Sequence, residues 1–116
     1  DDVDAAPVAA LGPELECHAA WPEKANIEFA ECMPDGSLRV RAWERGAGET
    51  RACGTGACAA AVAAVLSGRA SSWPVEVHLR GGTLGIDADA ATGNVVMTGP
   101  AAEVFDGMYQ LANLRS

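Results

Sequence analysis

The sequence predicts an α+β domain in which an antiparallel sheet wraps around one buried central helix. The first observation is the run from residue 57 to residue 67, Ala-Cys-Ala-Ala-Ala-Val-Ala-Ala-Val-Leu-Ser, which has no charge on any face. A helix that is apolar all round is a buried helix. The second and third observations are the stretches of alternating apolar and polar residues before and after this run, which are typical of strands.

The segment before the central helix predicts a short helix and then a hairpin. Val8, Leu11 and Leu15 lie at helical spacing. Residues 26–33 alternate as a strand, the turn sequence Pro-Asp-Gly-Ser follows, and residues 38–43 alternate again. We therefore expect two antiparallel strands joined by a tight turn.

After the hairpin we expect a loop over residues 44–53 and then the apolar helix, ended by Ser67-Gly68. The rest of the chain predicts an antiparallel meander. Its expected strands are residues 74–79, 83–88, 95–98 and a last short one at 102–105, followed by a helical tail from residue 107.

Cys53 stands where the apolar helix begins, next to Gly54-Thr55-Gly56. The first N–H groups of a helix have no internal partner and carry partial positive charge. They favour a thiolate and can hold a carboxylate or phosphate. We therefore expect Cys53 to be the most reactive of the four cysteines; the alternative is a small buried side chain at the helix start.

Composition limits the classes of function. The chain has 116 residues, enough for one domain, and a net charge of −8, which opposes binding to nucleic acid or to an anionic membrane. No apolar run is long enough to span a membrane. Nothing favours disulfides or a zinc site, since no C-x2-C pair is present, so we expect reduced cysteines and a cytoplasmic location.

Residues 39–59 carry a specific resemblance. The run Arg-Val-Arg-Ala-Trp-Glu-Arg-Gly-Ala-Gly-Glu-Thr-Arg-Ala-Cys-Gly-Thr-Gly-Ala-Cys-Ala closely resembles a signature of diaminopimelate epimerase, and residues 26–29, 80–84 and 97–101 agree with it. The resemblance covers roughly residues 8–107, and only the C-terminal half of that enzyme. We therefore expect residues 1–116 to form a single domain equivalent to the C-terminal one, taken from a fragment or an incomplete gene that lacks the N-terminal domain.

The resemblance implies epimerisation of LL- and meso-diaminopimelate, a step in lysine and peptidoglycan precursor synthesis, without pyridoxal phosphate or any other cofactor. One thiolate removes the α-proton and a thiol from the missing domain returns one. The implied catalytic residues are Cys53 and Glu44. The implied substrate-binding residues are Asn26 and Arg45 for the distal carboxylate, Glu44 near the amino group, and Gly54 and Thr55 for the reacting carboxylate. Cys58, about 500° further round the helix, is expected to be structural.

Several alternatives stay open. One alternative is another cofactor-independent racemase of the same fold. A second is a remnant or assembly module without activity. A homodimer is also left open. Residues 54–59 formally fit the G-x-G-x-x-A pattern of nucleotide sites, but the polar residues before them oppose this interpretation. For Glu44 and Arg45 the alternative is a surface ion pair.

Overall fold

The computed structural model describes residues 2–111. It contains a mixed sheet, two α-helices and a short 3-10 helix, Val3–Ala5. The α-helices are α1, Val8–Glu16, and α2, Gly54–Leu66. The strands are β1, Ile27–Cys32; β2, Leu38–Glu44; β3, Gly48–Thr50; β4, Val75–Leu79; β5, Gly82–Ala88; and β6, Val95–Thr98. The predicted α+β class is confirmed.

The strands follow the order β1-β2-β4-β5-β6, with β3 also paired to β2. All pairings are antiparallel except β2 with β4, which is parallel. This one pairing departs from the predicted antiparallel sheet. The chain crosses over the sheet through α2 and enters β4 in the direction of β2, and such a crossover joins parallel strands.

The hairpin of β1 and β2 has the predicted turn, where Gly36 adopts a φ of 88°. One face of β2, Leu38, Val40 and Ala42, is buried. This face packs with β4, β5 and the alanines of α2 to form the core. The other residues of the core are Ala57, Ala60, Ala61, Ala64, Ala70, Val75, Val77 and Ile86.

The opposite face of the sheet packs against α1. Its buried positions are Val8, Gly12 and Glu16, whereas Leu11 is exposed, so the predicted face of this helix is shifted by one residue. The reason is Trp43, whose ring lies so close to Gly12 that a Cβ there would overlap it. The indole N–H of Trp43 donates to Glu16 Oε2 at 2.8 Å.

Two further expectations are wrong. The helix α2 is buried on one face only, because Ala59, Ala63 and Leu66 are exposed beside the open edge of β1. An all-apolar run does not mark which face is covered. Residues 99–110 have no regular secondary structure, so the expected strand at 102–105 and the first part of the expected tail helix are absent; residues 112–116 lie outside the described part of the chain. Within residues 2–111, no helix has the length and hydropathy to cross a membrane.

Candidate functional site

Cys53 is the N-cap residue of α2, at the helix start predicted from the sequence. Its backbone is extended, with a φ of −136°, and its carbonyl accepts the N–H of Ala57 at 2.9 Å. Its Sγ accepts the N–H of Gly56 at 3.3 Å, the contact that a serine or aspartate side chain usually makes at this position. A thiol here lies where the partial positive charge of the helix end favours negative charge.

The thiol is enclosed. Cys53 is 6% exposed and is the least exposed of the four cysteines; Cys58 is half-buried, while Cys17 and Cys32 are exposed. Enclosure opposes the predicted ranking of reactivity, because a reagent reaches the two exposed thiols first.

Three groups surround the Sγ of Cys53. The Gly56 N–H is one, the Thr55 hydroxyl lies 3.6 Å away, and the Asn26 amide nitrogen lies 3.9 Å away. By their place in the first turn, the N–H groups of Gly54 and Thr55 have no intrahelical partner. The sulfur therefore lies beside backbone donors that an anion can use.

Met97 of β6 is a neighbour that the sequence did not indicate. A Cβ at Gly54 would lie 3.0 Å from the Met97 Sδ, so the methionine covers this side of the helix start. A residue larger than glycine at position 54 would displace the end of the Met97 side chain by a few tenths of an ångström.

Glu44 and Arg45 lie in a β-hairpin, because residues 48–50 of the predicted loop form β3. The short turn between the strands places Glu44 beside Thr50, whose hydroxyl donates to Glu44 Oε1 at 2.5 Å. Glu44 is half-buried. The ion pairs described within residues 2–111 do not join Glu44 to Arg45, so the surface-pair alternative finds no support.

Asn26 connects the turn to the thiol. Its side-chain oxygen accepts the backbone N–H of Arg45 at 2.8 Å, while its amide nitrogen faces the Cys53 Sγ. The guanidinium of Arg45 is exposed and donates to the Glu23 carbonyl at 2.8 Å. The structure thus brings Asn26, Cys53 and the backbone of Arg45 into one group.

Glu16 holds the other side of the turn and was missed from sequence. It is 8% exposed and accepts from the Trp43 indole and, at 3.3 Å, from the Gly46 N–H. The hydrogen bond from Trp43 is the main reason that the pKa of Glu16 lies below its usual value, although burial opposes it. No sequence signal indicated it, because the predicted apolar face of this helix was Val8, Leu11 and Leu15.

The Glu49 of the motif has a structural role in the hairpin. Arg41 donates to both of its carboxylate oxygens, at 2.8 and 3.0 Å, and Arg80 approaches at 2.9 Å. The hydrogen bonds from Arg41 are the main cause of a lowered Glu49 pKa. Arg41 also donates to the carbonyls of the first residues, and so joins them to the sheet.

Chemically, the arrangement offers one thiol that can take or give a proton, with hydrogen-bond donors for an anion beside it. The remaining thiols do not face it: Cys58 is in the body of α2, and Cys17 and Cys32 lie on the surface. Within residues 2–111, no second cysteine lies opposite the Cys53 thiol.

Comparison with known proteins gives a consistent result. The sequence pattern of the family described as diaminopimelate epimerase matches residues 1–104. Proteins named diaminopimelate epimerase from Phocaeicola vulgatus, Ectopseudomonas mendocina and Moorella thermoacetica are 51%, 51% and 52% identical to the chain. Each comparison covers 96% of this chain but only 39%, 40% and 39% of the respective relative. The chain therefore spans about two fifths of the length of the curated relatives it matches.

Proposed function

The chain belongs to the diaminopimelate epimerase family, and on that premise we propose that it supplies one half of an epimerase active site in a longer protein. The proposed reaction is the interconversion of LL- and meso-diaminopimelate, which makes the whole protein an isomerase of lysine biosynthesis. The observation that carries the proposal is the Cys53 thiol at the start of α2, next to backbone N–H groups without intrahelical partners.

In the proposed mechanism Cys53 acts on one face of the α-carbon. Its thiolate forms an S–H bond as the Cα–H bond breaks, and the electron pair stays on the carbon and spreads into the carboxylate. A thiol from the absent domain then gives its proton to the opposite face and becomes a thiolate. In the reverse direction the two thiols exchange roles. Because the two thiols carry both proton transfers, the proposed mechanism uses no cofactor.

The N–H groups of Gly54 and Thr55 are proposed to hold the reacting carboxylate. Negative charge builds on this carboxylate as the proton leaves, and preorganised donors stabilise charge that develops in the transition state. Glu44 is proposed to accept hydrogen bonds from the substrate amino group. Its contact with the Thr50 hydroxyl supports this role, because the bond fixes the orientation of the carboxylate.

Arg45 and Asn26 are proposed to bind the distal carboxylate. The guanidinium has five N–H donors and the Glu23 carbonyl occupies only one nitrogen, which leaves donors for a bidentate contact. Asn26 supports this region of the site, because its side-chain oxygen fixes the backbone of Arg45.

The proposal is tested in the full-length protein with diaminopimelate in deuterated water, by following deuterium at the α-carbon and the ratio of stereoisomers. Cys53→Ala should lower the rate of epimerisation by about 10²- to 10⁴-fold, because one of the two proton-transfer groups is gone. Cys58→Ala is the matched control and should retain activity. Full activity of Cys53→Ala would overturn the proposal.

The identity of the substrate is tested with the variant Arg45→Lys. Arg45→Lys keeps the charge but loses the planar fork, so kcat/KM should fall by about 10- to 100-fold. An unchanged kcat/KM would mean that Arg45 does not bind a distal carboxylate, and would favour a shorter amino acid and another racemase of this fold.

A further inference from the structure

Glu28 of β1 is a carboxyl group beneath the first turn of α2. In the β1–β2 pairing it lies opposite Ala42, so its side chain projects from the sheet face that packs against α2. A Cβ at Gly56 would overlap the Glu28 Oε1, so the carboxyl group lies directly against the helix backbone there. A glycine in the first turn is what allows this approach.

Within the described residues, the Glu28 Oε1 is buried and has no hydrogen-bond partner. No ion pair described for residues 2–111 includes Glu28. A buried polar atom without a partner is rare and costs stability, because its hydration is lost without replacement. Departures of this kind concentrate at functional sites, where stability is given up for chemistry.

Gly56 connects Glu28 to the thiol. Its backbone is in contact with the Glu28 carboxyl group, and its N–H donates to the Cys53 Sγ at 3.3 Å. Both groups therefore interact with the partial positive charge of the same helix end. Two negative charges beside one helix end repel each other, and this repulsion is the basis for a coupling between Glu28 and the thiol.

The groups around Glu28 agree with such a coupling. Its pKa is raised, mainly by burial and further by the negative charge of Glu44 on β2. The ionisable side chains at the N-cap of α2 and within the helix are Cys53 and Cys58, respectively. Glu28 also lines a cavity of about 300 Å³ between β1 and α2, and Cys32 and Arg69 line it too. Burial thus brings the protonation of Glu28 closer to neutral pH, where it can respond to charge at the helix start.

We propose that Glu28 is a positioning residue for the proton transfer, which opposes thiolate formation at Cys53 when it is ionised and permits it when it is protonated. The inference rests on the proposed function in one respect, the choice of Cys53 as the reacting thiol. Glu28 itself does not touch the substrate; it acts through the charge that it places under the first turn of α2.

The test is the rate of alkylation of Cys53 by iodoacetamide in the 116-residue chain, resolved by peptide mass mapping from about pH 5 to 9. Glu28→Gln keeps the shape and removes the charge. At pH 7 it should raise the Cys53 rate by about threefold. The gain in thiolate is larger than the gain in rate, because a less basic thiolate is a weaker nucleophile. Glu76→Gln on the exposed side of β4 makes the same charge change and should leave the rate unaltered.

The shape of the pH profile separates a charge effect from a packing effect. The wild-type rate should depend on two ionisations, and the Glu28→Gln rate on one only. Thermal unfolding checks the fold: Glu28→Gln should have an equal or higher Tm, since it removes a buried charge without a partner. Should the variant unfold, the wild-type profile decides, and a single ionisation there overturns the inference.

Equal pH profiles of the Cys53 alkylation rate in the wild type and in Glu28→Gln also overturn the inference about Glu28. Alkylation requires no turnover, so this result is independent of the proposed function. Activity that survives Cys53→Ala would instead contradict the proposed function and leave the coupling between Glu28 and the thiol intact.

Discussion

At the scale of single residues, the hairpin that presents Glu44 and Arg45 depends on paired charges behind it. Glu49 lies between Arg41 and Arg80, and its side chain is only 21% exposed. The bidentate contact with Arg41 fixes β3 against β2 and ties both to the first residues of the chain. Hydrogen bonds between charged groups are stronger than neutral ones, so this contact stabilises the turn that carries the candidate substrate ligands.

Stability should therefore fall in acid through Glu49. Its pKa is lowered in the folded state, mainly by Arg41, so the ionised carboxylate stabilises the fold above the unfolded pKa. This contribution is lost as the pH falls below about 4 and through the folded pKa. In thermal unfolding of the 116-residue chain, Glu49→Gln should lower Tm at pH 7 by roughly 5–10 °C, for a loss of about 1–2 kcal/mol.

The Glu49→Gln variant should lose less stability than the wild type between pH 6 and pH 3, because a glutamine at position 49 does not titrate. Glu76→Gln, which removes an exposed charge, is the control and should follow the wild type. Parallel acid profiles for Glu49→Gln and the wild type would show that the pair with Arg41 does not couple to folding.

At the scale of elements, α1 and the hairpin are fitted to each other at one point. Trp43 lies over Gly12, and its indole N–H and the Gly46 N–H both reach Glu16. The helix thereby sets the position of the turn after β2. Pro13 lies inside α1 without ending it. Pro13 is the sixth residue of the helix and has no N–H to bond to the carbonyl of Ala9, so α1 continues past it with one hydrogen bond fewer.

Gly12→Ala should destabilise the chain by about 1–3 kcal/mol, even though alanine is the better helix former. The added Cβ meets the ring of Trp43, which has no room to retreat because Glu16 holds its indole N–H. Urea unfolding measures the effect. In a Trp43→Leu background the same change should cost clearly less, and equal costs in both backgrounds would contradict the close approach.

Local pattern was sufficient for most elements. The turn residues 34–37 and the alternation of Leu38, Val40 and Ala42 placed the first hairpin, and the Cys53–Gly54 boundary placed the start of α2. The strand β3 was missed because Gly48-Glu49-Thr50 has no apolar alternation and is held by pairing and by Arg41. The parallel pairing of β2 with β4 was missed because it depends on the path of the chain over the sheet.

The site was predictable in part for the same reason. A cysteine at a helix start has a local signature, and the structure places Asn26 and the backbone of Arg45 near it. Glu16 and Glu28 have no local signature, because each is placed by a contact with a residue distant in sequence. Glu16 contacts Trp43, and Glu28 contacts Gly56. Such contacts follow from tertiary packing, which no single segment encodes.

At the scale of the whole molecule, the chain places the Cys53 thiol at the start of α2 and spans about two fifths of the length of its relatives. Inversion at the α-carbon requires proton removal on one face and proton return on the other. A single thiol that removes a proton and returns it to the same face regenerates the original stereoisomer. Completing the exchange from water alone would lack the positioning that makes such steps fast.

The 116-residue chain by itself should therefore interconvert LL- and meso-diaminopimelate at about 10⁻² to 10⁻⁴ of the rate of the full-length protein, because a second positioned acid–base group contributes roughly 10²–10⁴-fold. Stereoisomers are separated by chromatography after incubation in deuterated water. The full-length protein is the positive control, and Cys53→Ala of the isolated chain gives the background. Rapid inversion by the isolated chain above that background would mean that residues 1–116 contain both proton-transfer groups, which the placement of Cys17, Cys32 and Cys58 away from Cys53 opposes.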